Sequence, residues 1–315
     1  MPNKYFAAID LGTNSCRLVI ADEKRNYVYK DTRPVRLGEG MAADMRFTPE
    51  AMQRGFEALA DFQKHICAYN CCKVRAVATA ACRMAGNGMD FVRRVAEQCG
   101  LQLEVIDGAE EARLNLKGAV MNSKGLAPYV VVYDLGGGST EITLATNDAE
   151  QKILYTVSIP WGARNAAETF GLEDIYDEER AEKLRQVVKA YTDDFKAKSG
   201  YEQLKDKCCA VATSSNPLRL SAWIHQRGEY VREREDGQVL QVCDMDRVIA
   251  EINAMSREER EKCVYIGSKR APIFLAAGVI FKTIYDELGL TELMASLKSA
   301  KDGIIEELAE EAAHG

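Results

Sequence analysis

The segment that decides the fold reads AIDLGTNSCRLVIA from Ala8 to Ala21, and it returns 124 residues later as VYDLGGGSTEITLA from Val132 to Ala145. Asp, Leu, Gly, Ser and the final Ala coincide in the two copies. A second pair of similar segments follows in the same order, at residues 74–81 and 208–215. Two echoes in one order indicate a duplicated domain.

Apolar periodicity within each half predicts alternating strands and helices. In the first half it predicts strands at 4–10, 15–22, 27–31, 74–79 and 102–106 and helices at 49–68, 88–99 and 109–121. In the second half it predicts strands near 129–134, 139–146, 152–159 and 208–213, helices near 162–170 and 177–197, and only helices after that.

These elements predict an α/β fold made of two duplicated domains. The first domain is expected to comprise residues 1–122 together with a C-terminal helix at about 296–315, which packs back on it. The second is expected to comprise residues 123–295. The polar, glycine-containing interval Asn122–Gly125 is the predicted boundary.

Composition limits the classes of function. The chain has 315 residues, of which 47% are apolar and 28% charged, so most of it is expected to be folded. A net charge of -7 argues against a nucleic-acid partner. No apolar run is long enough for a membrane helix and no signal peptide is recognisable, so a cytoplasmic protein without a membrane partner is expected. The ten cysteines, without a CxxC, are expected to be mostly reduced core thiols, and the three dispersed histidines are assigned no role.

Both copies of the segment place an Asp at the end of a buried strand, directly before a turn rich in glycine and hydroxyl groups. Glycines let consecutive N–H groups converge on a phosphate, and the hydroxyls add donors. An Asp beside phosphate is favourable when it holds Mg²⁺. Ordinary hairpin turns are the alternative, but two such loops at matching places favour phosphate binding. The predicted phosphate-binding residues are Gly12, Thr13, Asn14 and Ser15 in the first loop and Gly136, Gly137, Gly138, Ser139 and Thr140 in the second.

Six motifs occur in an order that resembles the exopolyphosphatase and guanosine pentaphosphate phosphohydrolase family. They cover about the first 165 residues and lie at 8–18, 34–40, 77–83, 106–114, 134–141 and 159–163. The resemblance implies two ribonuclease-H-like domains of the actin-like ATPase superfold that face each other across a cleft.

The same resemblance implies a metal-dependent hydrolase that releases terminal orthophosphate from inorganic polyphosphate, with short chains expected, or from guanosine pentaphosphate. It implies that Glu111 positions or activates the attacking water. Asp134 and Glu141 would hold Mg²⁺ or another divalent cation, with Asp10 across the cleft. Arg17 and Arg83 would offset charge on the phosphate chain. A homodimer stays open.

The second half departs from the family pattern. Thr213-Ser-Ser-Asn-Pro217 stands where a Gly-Thr-rich phosphate turn is expected, and Arg270-Ala-Pro272 replaces Arg-Ala-Asp. Two alternatives to a hydrolase therefore remain open. One is an ATP-dependent kinase of the same superfold, for which Ala276-Ala-Gly278 is the nearest candidate adenosine loop. The other is a non-catalytic sensor of polyphosphate or an alarmone.

Overall fold

The structure is a computed structural model that describes residues 4–123, 125–148 and 150–314. The predicted boundary at 122–125 includes Lys124, which lies outside the described residues. The chain divides into two compact units. Unit 1 comprises Met1–Gly118 with Ala300–Gly315, and unit 2 comprises Ala119–Ser299.

Unit 1 contains a five-stranded mixed sheet. Its strands are β1 (Tyr5–Leu11), β2 (Ser15–Asp22), β3 (Tyr27–Pro34), β4 (Lys73–Ala78) and β5 (Leu103–Val105). They lie in the order β3-β2-β1-β4-β5. The first three form an antiparallel meander, as the apolar runs separated by the Gly-Thr-Asn turn predict, whereas β4 and β5 run parallel to β1.

Helices connect these strands as the periodicity predicts. They are α1 (Met41–Asp44), α2 (Pro49–Ala68), α3 (Ala80–Met84), α4 (Gly88–Cys99) and α5 (Gly108–Ala119). The start of α2 shows why the sequence predicts it well, because the Thr48 side chain accepts a hydrogen bond of 3.2 Å from the Ala51 N–H and Pro49 occupies the first turn.

Unit 2 repeats the same sheet with one strand more. Its strands are β6 (Tyr129–Leu135), β7 (Thr140–Thr146), β8 (Ile153–Ile159), β9 (Cys208–Thr213), β10 (Val239–Gln241) and β11 (Glu292–Ala295). Their order is β10-β11-β9-β6-β7-β8. The first four strands of each unit correspond one to one, which confirms the duplication.

The helices of unit 2 include two that the sequence predicts closely, at 162–170 and 177–197. The full set is α6 (Ala163–Phe170), α7 (Glu178–Ser199), α8 (Tyr201–Leu204), α9 (Ser215–Ile224), α10 (Val242–Asn253), α11 (Arg257–Lys262) and α12 (Phe274–Glu287).

The prediction of helices alone after residue 213 is wrong. Strands β10 and β11 interrupt that stretch, and β11 pairs in parallel with β9 through Met294–Val211 and Ala295–Ala212. Strand β11 therefore takes the place that β5 has in unit 1. Its sequence, Glu-Leu-Met-Ala, has no β-branched residue, so pairing with β9 overrides a local preference for helix.

The C-terminal helix α13 (Ala300–His314) covers one face of the unit 1 sheet. Phe6 and Ala8 of β1 pack in a cluster with Ile304 and Ile305, whereas the alternate residues Ala7, Ile9 and Leu11 face the core beneath α2. Strand β1 is thus buried on both faces. This burial explains why it reads as a continuous apolar run.

The expectation that the cysteines are mostly core thiols is wrong. All ten are free thiols, but only Cys16 and Cys82 are buried. Cys67, Cys72 and Cys243 are exposed, because they lie where a helix ends, a strand begins or a helix starts. In the part of the chain that the structure describes, every helix is too short or too polar to cross a membrane.

Candidate active site

The two similar hairpins place different charges at one corresponding position. In unit 1, Asp10 at the end of β1 lies opposite Arg17 of β2, and the Arg17 Nη1 donates to the Asp10 Oδ2 over 2.8 Å. In unit 2, Asp134 lies opposite Glu141 in the same register. Residues directly opposite in an antiparallel pair share one face of the sheet, and like charges there repel. The unit 2 hairpin is therefore suited to a bound cation.

The carboxylate of Glu141 is held in place from the neighbouring strand. Its side chain is 2% exposed, and Ser158 of β8 donates a hydrogen bond of 2.9 Å to the Glu141 Oε1. Among the described residues, no group of three or more His, Cys, Asp or Glu side chains is arranged to hold a metal. Two carboxylates that leave the other ligands to water and phosphate oxygens fit the usual coordination of Mg²⁺.

The glycine loop of unit 2 is fastened by the start of α6. The Gly136 carbonyl accepts from the Ala163 N–H and the Gly137 carbonyl from the Arg164 N–H, both over 2.9 Å. The carbonyl and N–H of one trans peptide point in opposite directions. The amides of Gly137 and Gly138 are therefore directed away from α6, and Asn165 extends the pattern by donating to the Gly138 carbonyl over 3.0 Å. Amides that point outwards together form an anion-binding nest.

The loop of unit 1 is fastened in a similar way by the segment 35–39. The Gly38 N–H donates to the Thr13 carbonyl, and the Val35 and Arg36 N–H groups donate to the Asn14 carbonyl, each over 3.1 Å. These bonds direct the amides that follow, those of Asn14 and Ser15, away from the segment. Arg54 of α2 supports this arrangement from behind by donating to the Val35 carbonyl over 3.0 Å.

Glu111 lies at the start of α5, at the sheet edge where β1, β4 and β5 end. Its side chain is 9% exposed. Arg83 of α3 lies 3.4 Å from the Glu111 Oε2 with its Nη1, which also donates to the Ile106 carbonyl over 2.7 Å. A carboxylate that is buried and fixed in this way has a defined orientation, which a water-activating base requires.

The two arginines that the sequence assigns to phosphate each contact a carboxylate in this structure. Arg17 is paired with Asp10, and Arg83 with Glu111. In this state both guanidinium groups therefore orient carboxylates of the candidate site.

The atypical loop after β9 lies beside the glycine loop of unit 2. Thr213 pairs with Asp134 in the parallel ladder, and the Ser214 hydroxyl donates to the Leu135 carbonyl over 2.9 Å. Ser214 has φ 79° and ψ -168°, a conformation that is essentially restricted to glycine. The strain explains why the family pattern has glycine at such a turn.

A profile of the Ppx/GppA phosphatase family matches residues 19–312. This chain belongs to the Ppx/GppA phosphatase family. Solved relatives share its fold over the whole length. The Ppx/GppA family member of Aquifex aeolicus is 25% identical, with a TM-score of 0.82 and 100% of both chains covered. An exopolyphosphatase-like protein is 26% identical, with a TM-score of 0.88 over 98% of this chain and 99% of its own. These structures confirm the two-domain α/β fold of the actin-like superfold.

A curated relative with an assigned activity matches a shorter region. Exopolyphosphatase 2 of Mycobacterium tuberculosis is 46% identical over 156 residues, which represent 45% of this chain and 48% of that protein. The chain spans about half the length of the curated relatives it matches.

Several residues of this Ppx/GppA site are not recognisable from sequence alone. Ser158, Asn165 and Arg54 lie far along the chain from the groups they fasten, and they act through single hydrogen bonds. The only sequence signal was for Asn165, which follows the Trp-Gly-Ala motif at the start of α6. Serine at 158 and arginine at 54 are ordinary surface residues by pattern.

Glu110, the neighbour of Glu111, has a structural environment. It accepts hydrogen bonds from Arg113 Nε over 2.7 Å and from Arg75 Nη2 over 2.8 Å, and both arginines also pair with Glu307 of α13. The Arg113 and Arg75 guanidinium groups lower the Glu110 pKa from 4.5 to about 2. Glu110 therefore links α5, β4 and α13 as a charged group.

We expect Glu110→Gln to lower the melting temperature at neutral pH, by the equivalent of up to about 1 kcal/mol because the pair is partly exposed. A lowered pKa stabilises the folded state above the unfolded value of 4.5, and this contribution is lost as the pH falls towards 2. Melting curves of the wild type and the variant should therefore converge in acid. A constant difference at all pH values would contradict this role.

Proposed function

We propose that this chain is a divalent-metal-dependent phosphoanhydride hydrolase that releases terminal orthophosphate from short inorganic polyphosphate, from guanosine pentaphosphate, or from both. One observation supports this most strongly. A single hairpin of unit 2 presents outward-facing amides at Gly137 and Gly138 next to the paired carboxylates of Asp134 and Glu141. The amides suit phosphate oxygens, and the carboxylates suit the cation that accompanies them.

The other residues complete the requirements of phosphoryl transfer, which are an in-line water, neutralised charge and rigid positioning. Glu111 orients and deprotonates the attacking water. Mg²⁺, when held by Asp134 and Glu141, neutralises charge on the transferred group. Asp10 and the amides of the unit 1 loop act on the same phosphate chain, and Arg17 and Arg83 offset its charge. The family relationship supports these roles, as does the burial of Glu111.

The kinase alternative loses its sequence support. Ala276, Ala277 and Gly278 lie within the buried helix α12, so they do not form an adenosine-binding loop. A methyl group on Gly278 would lie 3.7 Å from the Ile249 side chain, an ordinary contact, so this glycine serves no close backbone approach. Nothing in the described part of the chain favours a silent sensor over a hydrolase.

The decisive assay measures orthophosphate released from tripolyphosphate, from a longer polyphosphate and from guanosine pentaphosphate, with Mg²⁺ and without any acceptor. A hydrolase releases phosphate under these conditions, whereas a kinase needs an acceptor and a sensor releases none. Release that is absent from all three substrates across a range of divalent cations would contradict the proposal.

We expect Asp134→Asn to raise the Mg²⁺ concentration needed for half-maximal activity by roughly tenfold or more, the scale on which changes at a metal site act. The loss of one carboxylate leaves Glu141 as the anionic partner in the hairpin. Asp148→Asn is the control, because Asp148 lies in the exposed turn between β7 and β8. An unchanged Mg²⁺ titration for Asp134→Asn would contradict metal binding at this position.

A further inference from the structure

Two arginines of unit 2 lie around one tyrosine outside the site described above. The Arg219 guanidinium of α9 stacks over the Tyr230 ring, with its central carbon 4.2 Å from the ring centre. Its Nη1 also donates to the Ile266 carbonyl over 2.9 Å, which fixes its position. Arg232 follows Tyr230 by two residues, and both arginines lie close enough to the Tyr230 hydroxyl to lower its pKa against the effect of burial, which raises it.

These two guanidinium groups are close to each other and lack carboxylate partners. Burial lowers the pKa of Arg219, and the charge of Arg232 lowers it further. In the described ranges, neither Arg219 nor Arg232 forms an ion pair with Asp or Glu, and Glu233 beside them is exposed. Arg234, two residues further on, is by contrast paired with Glu229 over 3.0 Å. Two adjacent cations without a counter-charge attract an anion.

The buried polar atoms in this region have the same character. The Nε atoms of Arg219 and Arg232 and the Nδ2 of Asn216 are buried, and no acceptor among the described residues bonds to them. Asn216 and Arg219 are three residues apart on α9, so they share one face of the helix. All three atoms are donors. Buried donors without partners are costly, and an acceptor-rich ligand would satisfy such a set.

This group of donors is continuous with the glycine loop. Asn216 lies in the first turn of α9, directly after Ser214, whose hydroxyl bonds to the Leu135 carbonyl at the start of the Gly136–Gly138 loop. Donors therefore follow one another within unit 2 from the glycine loop through Asn216 to Arg219 and Arg232. A ligand that carries several phosphate groups in a row matches such a line.

We propose that Arg219 and Arg232 form a second anion subsite, which binds a phosphate group of a condensed-phosphate chain at a distance from the group held by the glycine loop. The inference rests on the proposed function for the identity of the chain, and on the two arginines for the binding itself. Inorganic polyphosphate longer than the shortest substrates is the ligand class, because a short chain ends before it reaches the second subsite.

Arg232→Gln is the variant that tests the subsite, because the Arg232 side chain forms no hydrogen bond or ion pair with the described residues. Arg234→Gln is the matched control from the same turn. We expect Arg232→Gln to raise the KM for a longer polyphosphate by roughly tenfold, the loss of one charged hydrogen-bonding group. The kcat and the KM for tripolyphosphate should stay within about twofold, because the terminal phosphate is held elsewhere. Melting curves should show that both variants fold.

A binding experiment separates this proposal from the proposed function. Titration calorimetry with the full chain and longer polyphosphate, in the presence of a chelator, measures affinity without hydrolysis. We expect weaker binding for Arg232→Gln and a salt dependence reduced by about one charge, with Arg234→Gln close to the wild type. Equal affinities for the two variants would overturn the subsite. A difference in binding in a protein that releases no phosphate would support the subsite and refute the hydrolase.

Discussion

Glu111→Gln should lower the turnover of phosphate release by roughly 100-fold or more, the usual scale for the loss of a general base. The amide keeps the size of the side chain and much of its hydrogen bonding, so KM should change little. Arg83 loses a charged partner at 3.4 Å but keeps the Ile106 carbonyl at 2.7 Å, which limits structural effects. Initial rates of orthophosphate release with saturating Mg²⁺ give the measurement.

Glu110→Gln is an informative control for Glu111→Gln because the two neighbouring residues have opposite expected signatures. Glu110 is held by Arg113 and Arg75, so its loss should lower stability and leave turnover nearly normal. Loss of Glu111 should do the reverse. If Glu111 only favoured the first turn of α5, its variant would lose less than about 1 kcal/mol of stability and would keep its turnover. Equal, small effects on turnover at both positions would remove Glu111 from the mechanism.

Gly162→Ala should be the most damaging substitution in unit 2 that removes no functional group. A methyl group on Gly162 would lie 2.5 Å from the Gly137 carbonyl carbon and the Gly138 nitrogen, a distance at which the backbone must shift. The shift would move the amides that face phosphate, and a displacement of about 1 Å at a reacting centre costs roughly 100-fold in rate. We expect that loss of kcat/KM together with a lower melting temperature.

Gly278→Ala is the matched control, because the same change is made where a methyl group has room. Gly278 lies within α12, and alanine at a helical position with space should raise stability by about 0.5–1 kcal/mol. Phosphate release should stay normal. If Gly162→Ala behaved like Gly278→Ala, the close contact between the start of α6 and the glycine loop would not position the amides.

Much of the candidate site was predictable, since its components lie in short continuous motifs. The glycine loop, Asp134 and Glu141 occupy eight consecutive residues, so a period-two pattern and a glycine turn place them in one hairpin. The direction in which the amides point was not predictable. It depends on hydrogen bonds from the start of α6 and from segment 35–39, which lie more than 20 residues away along the chain.

The sequence by itself determined the twin hairpins and the helix that follows the first, because adjacent residues make their interactions. Only the tertiary structure decided that Glu292–Ala295 forms a strand, since that segment gains its hydrogen bonds from β9, about 80 residues earlier. It also decided that Arg219 and Arg232 meet at Tyr230 without a carboxylate between them. Local patterns record the preferences of neighbouring residues, whereas pairing across the chain depends on which surfaces the packed core brings together.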